Sequence, residues 1–176
     1  MNRKYVEPFK GPLDQFPDSD ELPEGVKTVS FKDTYGDPID MRPDVVYAER
    51  SGEKQHLQII MPDTFMQDRR FPLVVFVQGS AFHRQHVFQH LSQMIRLVEH
   101  GYVVAMVEYR PSEIAPFPAQ TEDAKTAVRF MRMHAEEYHV DPDHVAFWGD
   151  SSGGHTVLMA GITADHELDT DLYKEY

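Results

Sequence analysis

The run Trp148-Gly149-Asp150-Ser151-Ser152-Gly153-Gly154 carries the strongest chemical signal in this chain. It follows an apolar, β-rich stretch and precedes a helical one. A serine with glycine at both ±2 positions in that context reads as a sharp strand–turn–helix elbow. The turn forces the serine into a strained backbone conformation, so only small residues fit beside it. Its oxygen then projects from the carboxyl end of a strand. The helix that opens there directs free backbone N–H groups toward developing negative charge. These are the requirements of a nucleophile attacking an acyl carbonyl, and Ser151 is the expected nucleophile. Glycine-rich turns before helices also cradle phosphates, and that alternative stands beside it.

A second element supports the first. Gln78-Gly79-Ser80-Ala81-Phe82 directly follows the apolar run Pro72–Val77. A small-residue loop at that point can bring backbone N–H groups within reach of the serine. Other polar residues read as structural. His155, four residues after Ser151 on the same helix, is aimed away from the serine oxygen. His83 follows the loop and suits substrate contact or solvent. His83, His86 and His90 have a spacing that could hold a metal, but no carboxylate is interleaved and histidine is plentiful here (10), so no metal or other cofactor is expected. Asp150 is too close to Ser151 to orient a base. Arg110 and Asp123 suit a buried or half-buried ion pair.

The elements that must position these residues are legible. Asp44–Glu49 and Gln55–Met61 flank Arg50-Ser51-Gly52-Glu53 and predict an antiparallel hairpin. Pro72–Val77 and Tyr102–Val107 are short continuous apolar runs, the pattern of strands buried on both faces. His86–His100 has helical spacing with Gly101 placed to stop it. Ala119–Tyr138 carries an apolar stripe, and Asp141-Pro142-Asp143 is expected to turn the chain into a strand at His144–Trp148. Ser152–Ala164 is the last predicted helix. A hairpin followed by alternating strands and helices predicts an α/β protein with a mostly parallel sheet. Residues 1–43, rich in proline and acid, are expected to be an irregular arm with one possible strand at Val26–Phe31; residues 44–176 form the domain.

Composition narrows the classes. Lys+Arg is 17 against Asp+Glu 29, a formal net charge of −12, which argues against binding nucleic-acid phosphates or an anionic membrane. No apolar run approaches a membrane span, and the first residues lack the apolar core of a signal peptide. With no cysteine there is no disulfide and no thiolate chemistry, and a cytoplasmic location is expected.

Three stretches together resemble the esterase branch of the α/β-hydrolase superfamily, in particular its hormone-sensitive-lipase-like and feruloyl- or acetylxylan-esterase-like members. They are Val77–Phe82, Val107-Glu108-Tyr109-Arg110 with Ala115–Gln120 and Asp123, and Trp148–His155. The resemblance covers roughly residues 44–164. It implies Ser151 as nucleophile, an oxyanion hole built from the N–H groups of Ser80, Ala81 and Ser152, and a small-molecule ester as substrate, such as an acetyl or feruloyl ester of a carbohydrate. This chain departs by carrying Gln78-Gly79-Ser80-Ala81 where the family usually has His-Gly-Gly-Gly; the glutamine is expected to change support of the loop rather than the chemistry. The resemblance also places an acid and a histidine base well after the nucleophile, whereas 22 residues follow Gly154. The expectation is therefore the N-terminal portion of an α/β-hydrolase fold, with C-terminal strands, acid and base absent. Two alternatives stay open: a prolyl-oligopeptidase-type serine peptidase fragment, and a non-catalytic half-domain that self-associates or pairs with a complementing chain.

Overall fold

The computed structural model of the chain describes residues 10–12, 15, 38–64, 69–166 and 171–176. The fold lies within Tyr35–Tyr176; the possible strand at Val26–Phe31 falls outside the described residues. Five strands form one sheet: β1 (Ile39–Arg50), β2 (Glu53–Pro62), β3 (Phe71–Val77), β4 (Val103–Val107) and β5 (Val140–Gly149). Three helices accompany them: α1 (Leu91–Glu99), α2 (Ala119–Met133) and α3 (Ser151–Ile162).

The spatial order is β1-β2-β4-β3-β5. β1 with β2, and β2 with β4, run antiparallel, whereas β3 is parallel to both β4 and β5. The sheet is thus mixed in equal parts rather than mostly parallel. The hairpin turn is Ser51-Gly52, with φ of +55° and +75°. Positive φ at both central residues gives the turn whose twist suits a two-residue hairpin. β1 starts at Ile39, inside the stretch expected to be an irregular arm.

Both faces of the central strands are covered, which is why they read as continuous apolar runs. Leu73, Val75 and Val77 of β3 pack with Val103, Ala105 and Val107 of β4 against Ala124, Ala127 and Met131 of α2 and Ala160 of α3. Val74, Phe76, Val104 and Met106 point the other way, onto Met94 and Val98 of α1. Burying such side chains contributes roughly 1.5–3 kcal/mol each.

Three boundaries differ from the sequence pattern. His86–His100 is not one helix: Val87–His90 is a 3₁₀ turn, and α1 follows it. Gly101, at φ +85°, does stop the segment. α2 ends at Met133, and the apolar stripe continues through looser turns to Tyr138. They close when His139, at φ +53°, donates to Glu136 O and Val140 N–H donates to Ala135 O at 2.8 Å, the hydrogen-bond pattern of a helix C-terminus. The turn expected at Asp141-Pro142-Asp143 sits inside the β5 span. Pairing jumps from Pro72↔Asp141 to Leu73↔Val145, so residues 142–144 bulge out of the ladder.

The topology fixes where a site can form. From β3 the chain crosses through α1 to β4 on one side, then through α2 to β5 on the other. A crevice opens at the carboxyl ends of strands where such crossovers diverge. Register pairs Val77 with Gly149. The loop after β3 and the turn after β5 therefore lie side by side.

Candidate active site

The turn between β5 and α3 is held as an elbow. Ser151 has φ +48°, a left-handed conformation that costs a non-glycine residue of order 1–3 kcal/mol. The two flanking glycines are required by close approach. A Cβ on Gly153 would lie 2.0 Å from the Val77 carbonyl oxygen, and one on Gly149 would lie 2.7 Å from the Gly153 carbonyl. The first turn of α3 is pressed against the end of β3, and only glycine leaves room. Ser151 itself is exposed.

α3 begins without the usual capping. Asp150 precedes it at φ −116°, ψ 155°, but its side chain does not cap the helix. Asp150 Oδ1 instead accepts the Gly79 N–H across the crevice at 2.9 Å. Among the described residues the N–H groups of Ser152 and Gly153 have no acceptor, and no acidic side chain lies in the first turn. Open N–H groups and the positive end of the helix dipole favour an anion here.

The loop after β3 is tied to this turn from both sides of Ser151. Ser152 Oγ, on a buried residue, accepts the Ser80 N–H at 2.9 Å and the Phe82 N–H at 3.3 Å. Ala81 and Phe82 adopt φ of +52° and +65°. Of the three N–H groups the resemblance assigns to an oxyanion hole, that of Ser80 is engaged by the Ser152 side chain. Those of Ala81 and Ser152 have no acceptor among the described residues. Gln78 braces the loop: its Nε2 donates to Gln89 Oε1 at 2.9 Å, linking it to the 3₁₀ turn.

The other polar residues fall into place around this pair of segments. Arg110 and Asp123 form a buried two-pronged pair, with Nε–Oδ2 at 2.9 Å and Nη2–Oδ1 at 2.8 Å, and Asp123 Oδ2 also accepts the Arg110 N–H at 2.8 Å. Burial pushes the Asp123 carboxyl up, against the hydrogen bonds and charge of Arg110. Gln120 Nε2 donates to the Arg110 and Ala115 carbonyls at 2.8 Å each. Together these bonds fix the loop that carries Glu113 and Phe117. Glu113 is hydrogen-bonded to His83, which holds its carboxyl below the usual range. His155 packs edge-on to Phe82 and Phe117, at 5.7 and 6.3 Å between ring centroids. His90 packs edge-on to Phe76 at 5.5 Å, whereas His83 meets Glu113, so those two histidines are directed to separate neighbours. All ten histidines are among the described residues, and none hydrogen-bonds Ser151.

Sequence reasoning gave no role to Tyr109 or to the Asp150 side chain. Tyr109 follows β4 at the carboxyl end of the sheet, a position that could have drawn attention to it. Nothing in the pattern showed Asp150 reaching back to Gly79.

Comparison with known proteins gives the family and the fold. The BD-FAE family profile matches residues 57–176, more than half of the chain. The chain belongs to the BD-FAE family. It is 31% identical over 101 residues to Esterase LipC of Mycobacterium tuberculosis, covering 57% of this chain and 25% of LipC. The native structure of the esterase Est2 from Thermogutta terrifontis superposes with a TM-score of 0.62 at 26% identity, covering 76% of this chain and 48% of Est2. A bifunctional GH43-CE protein of Bacteroides eggerthii superposes with a TM-score of 0.65 at 31% identity, covering 77% of this chain and 21% of the other. The architecture is that of an α/β-hydrolase over the part this chain spans. It spans about a quarter of the length of LipC and about half of Est2.

Proposed function

We propose that Ser151 is the nucleophile of a carboxylic ester hydrolase. The observation that carries this reading is the elbow itself: an exposed serine at φ +48° between β5 and α3, beside unpaired N–H groups of Ala81 and Ser152. Ser151 Oγ attacks the ester carbonyl, and the carbonyl oxygen, now anionic, is held by those two N–H groups. The alcohol leaves, and water hydrolyses the acyl-enzyme. Membership of the BD-FAE family and the esterase names of the similar proteins support the reaction class. Short acyl esters, including acetyl and feruloyl groups on carbohydrate, are the proposed substrates. No histidine of the chain bonds to Ser151, so in this reading the base comes from outside these 176 residues.

Intact mass spectrometry after a fluorophosphonate probe tests the assignment, since the probe reacts with an activated serine. An adduct on Ser151 that vanishes in Ser151→Ala supports it. An adduct that survives Ser151→Ala overturns it. A folded chain that takes no adduct has the elbow without its base.

One observation favours a second reading, a half-domain completed by association with another copy or a complementing chain. Among the described residues β5 pairs only with β3, and Trp148, Leu158 and Ile162 are 45%, 68% and 74% exposed. A one-sided edge strand next to exposed apolar side chains invites pairing. Sedimentation velocity distinguishes the readings: a monomer at all concentrations counts against association.

A further inference from the structure

We propose that Tyr109 is a positioning residue, whose hydroxyl sets where the Ala81 N–H stands relative to Ser151. The inference rests on the ester-hydrolase reading of Ser151 and adds to it a residue with no role in that reading.

Tyr109 is 3% exposed and packs in the core beside β4. Its hydroxyl lies 2.7 Å from Ser80 Oγ, 3.2 Å from the Gln78 carbonyl and 3.5 Å from Ser152 Oγ. One phenol therefore touches the loop after β3 twice and the start of α3 once.

Counting protons gives this cluster a direction. Ser80 Oγ donates its single proton to the His83 carbonyl at 2.5 Å. At the Ser80–Tyr109 contact the tyrosine must then be the donor, its one proton shared between Ser80 Oγ at 2.7 Å and the Gln78 carbonyl at 3.2 Å. With that proton committed, the phenol oxygen can only accept from Ser152. Ser152 Oγ already accepts from Ser80 N–H and Phe82 N–H, so its own proton is free to be given. The chain runs Ser152 O–H to Tyr109, Tyr109 O–H to Ser80, and Ser80 O–H to His83. The Tyr109 and Ser80 protons are both directed into the loop after β3.

That orientation matters because the loop is strained. Ala81 and Phe82 both hold positive φ, which persists only where the surroundings over-determine it. The two residues before Ala81 and the one after it have their N–H groups anchored, on Asp150 and Ser152. Tyr109 keeps the Ser152 oxygen turned so that its lone pairs meet two of those groups. The Ala81 N–H is left over, placed and unpaired.

Tyr109→Phe removes the hydroxyl and keeps the ring, so the core packing survives. Two readouts decide the matter. Amide exchange of Ser80 and Phe82 should quicken about tenfold while core amides of β3 and β4 stay within about twofold. Where the wild-type chain hydrolyses p-nitrophenyl acetate, the variant should lose about tenfold in kcat with KM within about twofold, the pattern of an interaction made in the transition state. Loop amides that exchange as in the wild type overturn the proposal whatever the activity. Faster exchange with kcat unchanged overturns it too. A wild-type chain with no hydrolysis and no adduct at Ser151 has the elbow without its base, and the exchange readout then decides the role of Tyr109 alone; an adduct that survives Ser151→Ala counts against the esterase reading instead.

Discussion

The Ser80 N–H donates to Ser152 Oγ at 2.9 Å, joining the residue after Ser151 to the loop that faces it. A serine there does two things that an alanine would do only in part. Its backbone N–H stays open at the start of α3, while its hydroxyl fixes the neighbouring loop.

Ser152→Ala should separate those roles. It strands the N–H groups of the half-buried Ser80 and Phe82 without their acceptor, and the cost should lie toward the lower end of the about 1–3 kcal/mol of an unsatisfied buried group. The unfolding free energy from urea titration should fall by that amount, with a lower midpoint, and exchange of both amides should rise. An unchanged midpoint with unchanged exchange would mean the loop is held by Asp150 and Gln78 alone.

Two glycines of α3 should respond in opposite directions. Gly153→Ala brings a methyl group to 2.0 Å from the Val77 carbonyl, so the elbow must open or the helix shift. The expected loss is about 3 kcal/mol or more. At Gly161, also on α3, nothing lies within 4 Å of an added Cβ. There alanine should stabilise by up to about 1 kcal/mol, because it has less backbone entropy to lose. Thermal unfolding of both variants checks this, and equal effects would contradict the geometry.

Much of this architecture was legible because it follows from local pattern. Continuous apolar runs mark β3 and β4, and the glycines at 149 and 153 mark the elbow in the sequence itself. The parts that were not legible depend on chain crossings. No spacing shows Asp150 accepting from Gly79, 71 residues away, or Ser152 taking the Ser80 N–H. The bulge in β5 was hidden for a different reason. Asp141-Pro142-Asp143 has turn chemistry, and the turn is there, with Asp141 Oδ1 accepting the Asp143 N–H at 3.1 Å. Strand pairing resumes beyond it, which sequence alone does not record.

The buried Arg110–Asp123 pair should be essential for stability and not for chemistry. Asp123 is fully buried, and removing it leaves the guanidinium of Arg110 without its main partner. Breaking such a pair from one side costs about 3–5 kcal/mol. Asp123→Asn should therefore lower the thermal midpoint steeply. If the variant is instead as stable as the parent, Glu122, 3.2 Å from Arg110 Nη2, suffices as its counter-ion.

Alkaline titration offers a check on the far side of the molecule. Burial, with the neighbouring Glu137 carboxylate adding to it, pushes the Tyr138 phenol up to about 12. In the unfolded chain the same phenol ionises near 10. Because the folded value is the higher one, the stability it contributes is complete below about pH 10 and is lost as the pH rises toward 12. Tyr47, fully buried and donating to the Glu108 carbonyl at 2.9 Å, shifts in the same direction, chiefly through burial. The difference in absorbance at 295 nm between the parent and Tyr138→Phe isolates one phenol among eight. Its step should come near pH 12, and the phenylalanine variant should unfold less readily between pH 10 and 12. A difference step near 10 would mean that the phenol is open to water, and with it the turn that ends at His139.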